Sequence, residues 1–352
     1  MMDGGAGGSQ TSLERRLSAA VFRWATGDPH GAPGRVMLCG TLEGLGGIAA
    51  RSSGVDDVYL VPSGEAALPD GVVRDEVLTF DGRFDEPGDV MHIGSGYEIE
   101  LKDYLTLPFT PVARPTIVAC TTSAAWTALI EDAEEALATG VFIPQLASPS
   151  VVLCDRAVID AAVQGTAVGI NRLSIPTAAT VRYRLGGAVV GSVETADLRD
   201  QPASAVLRSD GDPPDTGIDL ERQLAARPWI RQYLAALRVI GGDDGGTWSI
   251  SGFGDGLTTS DSGPGHRTSA DLIIWRGDEY RLVSESGRRF RLDRESAIAV
   301  DSLLQASSRD EAVVNARRAG LSPSNIGAEL DDLRSRLAVV GVDIALPEGD
   351  ES

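Results

Sequence analysis

Few residues in this 352-residue chain stand at spacings that perform chemistry. The nearest approach to a nucleotide loop is Val36-Met-Leu-Cys-Gly40-Thr-Leu-Glu-Gly44-Leu-Gly46-Gly47, an apolar strand running into a glycine-rich turn. It lacks the Gly-Lys-Ser/Thr of a phosphate loop, and its glycines do not fall as Gly-x-Gly-x-x-Gly. Cradling a phosphate takes specific amides at a helix start, so the turn reads as structural. The three histidines, His30, His92 and His266, have no His or Cys at metal-ligand spacing. His92 reads as a satisfied strand residue. No Gly-x-Ser-x-Gly elbow is present. The pairs and runs at Asp56–Asp57, Glu131–Glu135, Asp243–Asp244 and Asp331–Asp332 read as solvated faces and loops, because they lack the spacing of a calcium loop. Cys39, Cys120 and Cys154 are far apart in apolar runs and read as buried free thiols. These residues predict neither a catalytic group nor a metal nor a cofactor. The chain is expected not to be an enzyme.

Arginine is the exception. The chain carries a net charge of −20, and Lys102 is its single lysine. Residues 271–343 hold 11 Arg against 13 Asp and Glu, a net of −2, so the remainder carries −18. Within that stretch Arg288, Arg289 and Arg291 make a local positive island. Two readings stand for it. Charges on an exposed edge strand block edge-to-edge aggregation. Alternatively, they meet acidic residues of a peptide through charge-assisted hydrogen bonds. A phosphate backbone would be repelled by the chain as a whole, which disfavours nucleic acid and a DNA-binding regulator.

The elements that position these arginines are well punctuated. Leu272–Trp275, Tyr280–Ser284 and Arg288–Leu292 read as three strands, joined by turns at Arg276-Gly-Asp and Ser286-Gly. In the third, Phe290 and Leu292 share one face and Arg289 and Arg291 the other. Three helices follow. Asp293 caps the first, Ser308-x-x-Glu311 is a capping box for the second, and Ser322-Pro323 opens the third. The third carries Ile326, Leu330, Leu333, Leu337 and Val340 on one stripe. One flank offers Gly327 and Arg334, the other Asn325, Glu329 and Arg336, and Gly341 ends it.

This cadence, YRLV-turn-RRFRLD-RESAIAVDSLL, resembles a PqqD-like winged-helix domain, called the RiPP recognition element in enzymes that modify ribosomally made peptides. The resemblance covers about the last fifth of the chain. It implies that the leader of a precursor peptide adds as a strand beside the third strand and lies against the third helix. On this resemblance the peptide-binding residues are Arg288, Arg289, Phe290, Arg291, Leu292, Ile326, Leu330 and Arg334. A recognition domain behind a longer scaffold is similar to the recognition proteins of daptide-type clusters. The implied partners are the precursor peptide and separate modifying enzymes of the pathway. The competing expectation is a peptide-modifying enzyme whose α/β domain carries a nucleotide-dependent activity at Gly40–Gly47.

The rest of the chain reads as a mixed α/β, or α+β, protein: a tail over 1–12, an α/β scaffold over 13–200, a linker and helix over 201–240, a glycine-rich tether over 241–268, the recognition element over 269–346 and an acidic tail over 347–352. Helices are expected at Ser12–Trp24, Ser123–Thr139 and Asp219–Val239, the last starting or kinking at Pro228. Strands are expected at Val36–Cys39, Val58–Val61, Val72–Phe80, Val90–Ile93, Tyr97–Leu101, Thr116–Cys120, Ser150–Cys154, Ala179–Leu185 and Ala188–Glu194, with a short one at Trp248–Ile250. No apolar run reaches the ~20 residues of a membrane span, and no signal-type segment opens the chain. A cytoplasmic location is expected, with no membrane partner.

Overall fold

The computed structural model describes residues 12–27, 34–51, 56–64, 69, 76–94, 96–242, 248–254, 256–258, 269–322 and 325–344. The chain is mixed α/β and divides into two compact units. The first holds residues 1–126, 150–161 and 166–220; the second holds 127–149, 162–165 and 221–352.

In chain order the first elements are α1 (Ser12–Thr26), β1 (Val36–Cys39), α2 (Leu42–Ala49), β2 (Val58–Pro62), β3 (Val77–Gly82), β4 (Val90–Ile93), β5 (Tyr97–Asp103) and β6 (Thr116–Ala119). Then come α3 (Ser123–Thr139), β7 (Val151–Leu153), α4 (Arg156–Gln164), β8 (Ala167–Val168), β9 (Arg172–Thr177), β10 (Thr180–Arg182), β11 (Gln201–Pro202) and α5 (Ala203–Leu207). The first unit is built on a nine-stranded sheet of order β10-β9-β1-β2-β3-β4-β5-β6-β7. Strands β9, β1, β2 and β3 run parallel, as do β5, β6 and β7, while β4 is antiparallel to both neighbours. Helix α1 lays Leu17, Val21 and Trp24 on a core of Leu38, Leu60, Leu78, Met91, Ile99 and Ile117. The indole of Trp24 donates to the carbonyl of Leu173 at 2.9 Å, which settles the one polar atom of that ring.

Several expectations need correction here. Gly40–Gly47 is not an open turn: Thr41 caps α2, its hydroxyl accepting from the Gly44 amide at 3.2 Å. Strand β9, between β1 and the edge strand β10, was not expected, because Arg172, Ser174 and Pro176 hide its apolar alternation. The run expected at 179–185 is a strand only over Thr180–Arg182, and 188–194 forms none, only a bridge from Gly191 to Val181. Gly186 and Gly187 follow the first run, and Gly191 interrupts the second. The stretch read as linker after residue 200 is built into the unit, with Ala203, Val206 and Leu207 buried. The three cysteines are free and buried, as expected, and burial pushes the Cys39 thiol up to about 12. Lys102 is buried too, its ammonium donating to the carbonyl of Pro111 at 2.7 Å.

The later elements are α6 (Thr216–Ala225), α7 (Ile230–Gly242), β12 (Ser249–Ile250), β13 (Leu272–Arg276), β14 (Glu279–Val283), β15 (Arg289–Leu292), α8 (Arg294–Gln305), α9 (Arg309–Arg318) and α10 (Ile326–Val339). The single helix expected over 219–239 is two, α6 and α7, because Pro228 has no N–H to donate and disfavours helical backbone at Arg227. The second unit holds an antiparallel sheet of order β12-β13-β14-β15. One face carries Ile273, Tyr280, Leu282, Phe290 and Leu292 into a core shared with α8, α9 and α10. The stretch read as a tether contributes to this unit: Trp248, Ile250 and Phe253 are buried, and Thr258 is bonded to Asp301 of α8.

The caps follow the residues. Asp293 accepts from Ser296 at 2.7 Å at the start of α8. At α9, Ser308 accepts from Glu311, but the Glu311 carboxylate returns its bond to the Ser307 amide at 2.6 Å rather than to Ser308. Helix α10 opens at Ile326 under an Asn325 cap, not at Ser322; Pro323 lies outside the described residues. Gly341, at φ 81°, closes α10 with Gly341 donating to Ala338 and Val342 to Leu337, both at 3.0 Å, in the Schellman pattern.

Candidate functional site

Strand β15 stands at the end of its sheet, hydrogen-bonded to β14 alone among the described strands. The Ser284 amide donates to the Arg288 carbonyl at 2.9 Å, which makes these two a hydrogen-bonded pair. Antiparallel pairing alternates, so Phe290 and Leu292 spend their backbone groups on Leu282 and Tyr280, and the backbone groups of Arg289 and Arg291 point to the open side. The side chains alternate as well. Arg289 and Arg291 are exposed, while Phe290 and Leu292 are half-buried against the helical core.

The charged face is wider than the third strand. Arg281 lies directly opposite Arg291 in the register, and Arg276 opposite Glu279. Like charges facing one another across strands repel. Glu279 offsets this by accepting from Arg281 Nε at 2.9 Å, and the Arg281 guanidinium holds the Glu279 carboxyl below its usual range. The guanidinium carbons of Arg276 and Arg281 stand 4.8 and 4.6 Å from the ring centroid of Trp248, within cation–π range. Sequence reasoning missed Arg276, Arg281 and Trp248; the period-two pattern of Tyr280–Val283 could have placed Arg281 beside the island, but no sequence signal linked Trp248 to it. At the far end of β15 an open depression of about 570 Å³ is lined by Asp278, Tyr280, Arg291, Leu292, Asp293 and Arg294.

Arg288 is tied into the fold. It donates to the carbonyl of Val340 at 2.5 Å, at the C-terminal end of α10, and its guanidinium carbon stands 5.0 Å from the Phe290 ring centroid. A cation there complements the helix dipole. This contact also brings the start of β15 beside the end of α10.

The flanks of α10 differ. Gly327, Asp331 and Arg334 share one flank at helical spacing. Arg309 of α9 covers it, with its guanidinium against Gly327 and a bond to Asp331 at 2.7 Å. The other flank carries Glu329, Asp332 and Arg336, with an exposed Asp332–Arg336 ion pair at 3.1 Å. Val339 is 87% exposed and Val340 36%, an apolar end beside Arg288. Of the residues the resemblance implies, Ile326 and Leu330 are 3% and 1% exposed in the core, and Arg334 lies on the covered flank. Only the β15 residues lie along the open edge.

The other sequence candidates lie away from this edge in the chain. A side chain at Gly40 would overlap the Pro176 carbonyl, and one at Gly47 would overlap Val193, so these glycines serve close approach of backbone and side chains. His92 is exposed on β4 with Nδ1 3.2 Å from Glu98 across the strands; His30 and His266 lie outside the described residues. Among the described residues, no three His, Cys, Asp or Glu are grouped to hold a metal, and no helix is long and apolar enough to cross a membrane. No protein-family model, curated protein or solved structure matches the chain.

Proposed function

We infer that this chain is a recognition protein that binds the leader of a ribosomally made precursor peptide and presents it to separate modifying enzymes. The observation that carries this reading is the open edge of β15, charged on one face and apolar on the other, lying beside the end of α10. The order of elements from β13 to α10, three strands and then three helices, fits a PqqD-like winged helix, extended here by β12. A peptide strand laid along β15 gains affinity from backbone hydrogen bonds. Its side chains on one face meet Arg289 and Arg291; those on the other meet the α10 flank that carries Arg336. The acidic remainder of the chain repels an acidic peptide and leaves the arginine face as its point of entry. The composite layout agrees with the recognition proteins of daptide-type clusters.

The test is titration of a fluorescent peptide with alternating acidic and apolar residues into the full chain. Affinity in the micromolar range is expected. A copy of that peptide N-methylated at alternate backbone amides should lose binding, because strand addition needs those donors. Equal binding by the methylated copy would exclude strand addition, and no binding by either would remove the recognition reading.

A further inference from the structure

The first unit holds a separate cavity of about 120 Å³, lined by residues that include Leu38, Pro62, Phe80, Arg83, Asp85 and Ser174. Its place in the fold is specific. Residues 38–40 end β1, Pro62 ends β2, Gly82 ends β3, and Ser174 and Pro176 lie toward the end of β9. The cavity therefore sits at the carboxyl ends of four parallel strands. From β1 the chain proceeds through α2 to β2 on one side, whereas β9 lies on the other and leads away to β10. That change of direction marks where open α/β sheets leave a crevice for a ligand.

The lining mixes apolar side chains with polar groups, among them two opposite charges. Arg83 and Asp85 flank the buried Phe84, yet they form no ion pair with each other, and neither side chain makes a hydrogen bond among the described residues. The backbone under them is fixed: the Asp89 carboxylate accepts from the amides of Asp85 and Glu86, both at 2.9 Å. Burial pushes the Asp85 carboxyl up from its ordinary value, against the opposing charges of Arg182 and Arg83 nearby. An apolar pocket with a few convergent polar groups is the usual form of a small-molecule site. The volume compares with the ~150 Å³ cavity that admits benzene in an engineered protein, so the ligand is small.

We propose that this cavity binds a small zwitterion of the free α-amino-acid class, its ammonium on Asp85, its carboxylate on Arg83 and its side chain over Leu38, Pro62 and Phe80. A ligand with one charge would forgo one charge-assisted contact, with Arg83 exposed and Asp85 half-buried. The site is independent of the β15 edge, and its test does not draw on peptide binding.

The experiment is calorimetry of the full chain with glycine, alanine, valine and leucine, and with N-acetylvaline and valinamide as singly charged controls. At least one free amino acid should bind, and each capped form of valine should bind weaker by about ten-fold or more, the loss of one charge-assisted contact. Asp85→Asn should abolish the preference for free valine over N-acetylvaline, and Arg83→Gln the preference over valinamide; both positions are at least partly exposed, and circular dichroism checks their folding. No heat from any free amino acid at about 10 mM, or equal binding of valine and its capped forms, would overturn the proposal.

Discussion

The Arg288 guanidinium donates to the Val340 carbonyl while lying over the Phe290 ring, so one side chain joins the edge strand of the second unit to the end of its last helix. A charge committed in this way is a poor partner for a peptide. Arg288→Ala should lower stability by about 1 kcal/mol, the scale of a hydrogen bond at a helix end. It should weaken acidic and neutral peptides alike. Urea denaturation and peptide titration of the same variant check both halves.

Arg291 is the contrasting case. It is exposed, on the open edge, and it borders the depression at the end of β15. Arg291→Glu should weaken an acidic peptide by on the order of ten-fold without lowering the melting temperature, because it removes the like-charge pairing with Arg281. Unchanged affinity would remove charge matching while leaving strand addition in place. Raising the salt should weaken the wild type more than the variant.

The flanks of α10 give a paired comparison. Arg336 lies on the flank away from Arg309, and Arg334 lies on the flank that Arg309 covers. Arg336→Ala should change peptide affinity and Arg334→Ala should not. The reverse result would move the groove to the α9 side.

Local signals carried much of the second unit. Turn residues, period-two faces and caps located β13, β14 and β15 and the helices after them, because each is set by neighbours in sequence. The details that failed depended on distant partners. The bond from Arg288, which is exposed, to the Val340 carbonyl has no signal in the sequence, and Ile326 and Leu330, on the apolar stripe of the last helix, lie in the core, whereas the resemblance implies a groove role for them. Trp248 lies in a glycine-rich stretch and owes its burial to the sheet that β12 joins. The first unit was harder to read because β9 carries buried polar residues. Arg172 of β9 pairs with Asp155 and also donates to the carbonyls of Trp24 and Ala25, tying the end of α1 to the sheet through contacts far apart in sequence.

Arg184 shows the same dependence at larger cost. Its guanidinium is 1% exposed and donates to the carbonyls of Val206, Cys120, Leu185 and Leu207 and to the Ser209 hydroxyl, at 2.7–2.9 Å. Arg184→Met fills part of the space but leaves five acceptors without donors. A loss of about 3–5 kcal/mol is expected, the range for breaking a buried charge network. Denaturant titration of the full chain measures it, and a change under about 1 kcal/mol would mean that water replaces the guanidinium.

Asp301 gives a pH signature. It is fully buried on α8 and accepts from the amide and hydroxyl of Thr258, at 2.9 and 2.8 Å, and from Gln305 at 3.2 Å. Burial nevertheless raises its carboxyl above the ordinary 3.8, outweighing the hydrogen bonds that lower it. The folded chain then holds this proton more tightly than the unfolded chain does. Its contribution to stability is complete below about pH 3.8 and declines as pH rises toward the folded-state value, because ionising in the folded state is the costlier step. Asp301→Asn keeps an acceptor for Thr258 and has no proton to lose. The stability of wild type relative to this variant should therefore fall as pH increases through the acidic range. Thermal melts of both proteins across that range read the difference directly, and a constant or rising difference would mean that the Thr258 and Gln305 bonds outweigh desolvation.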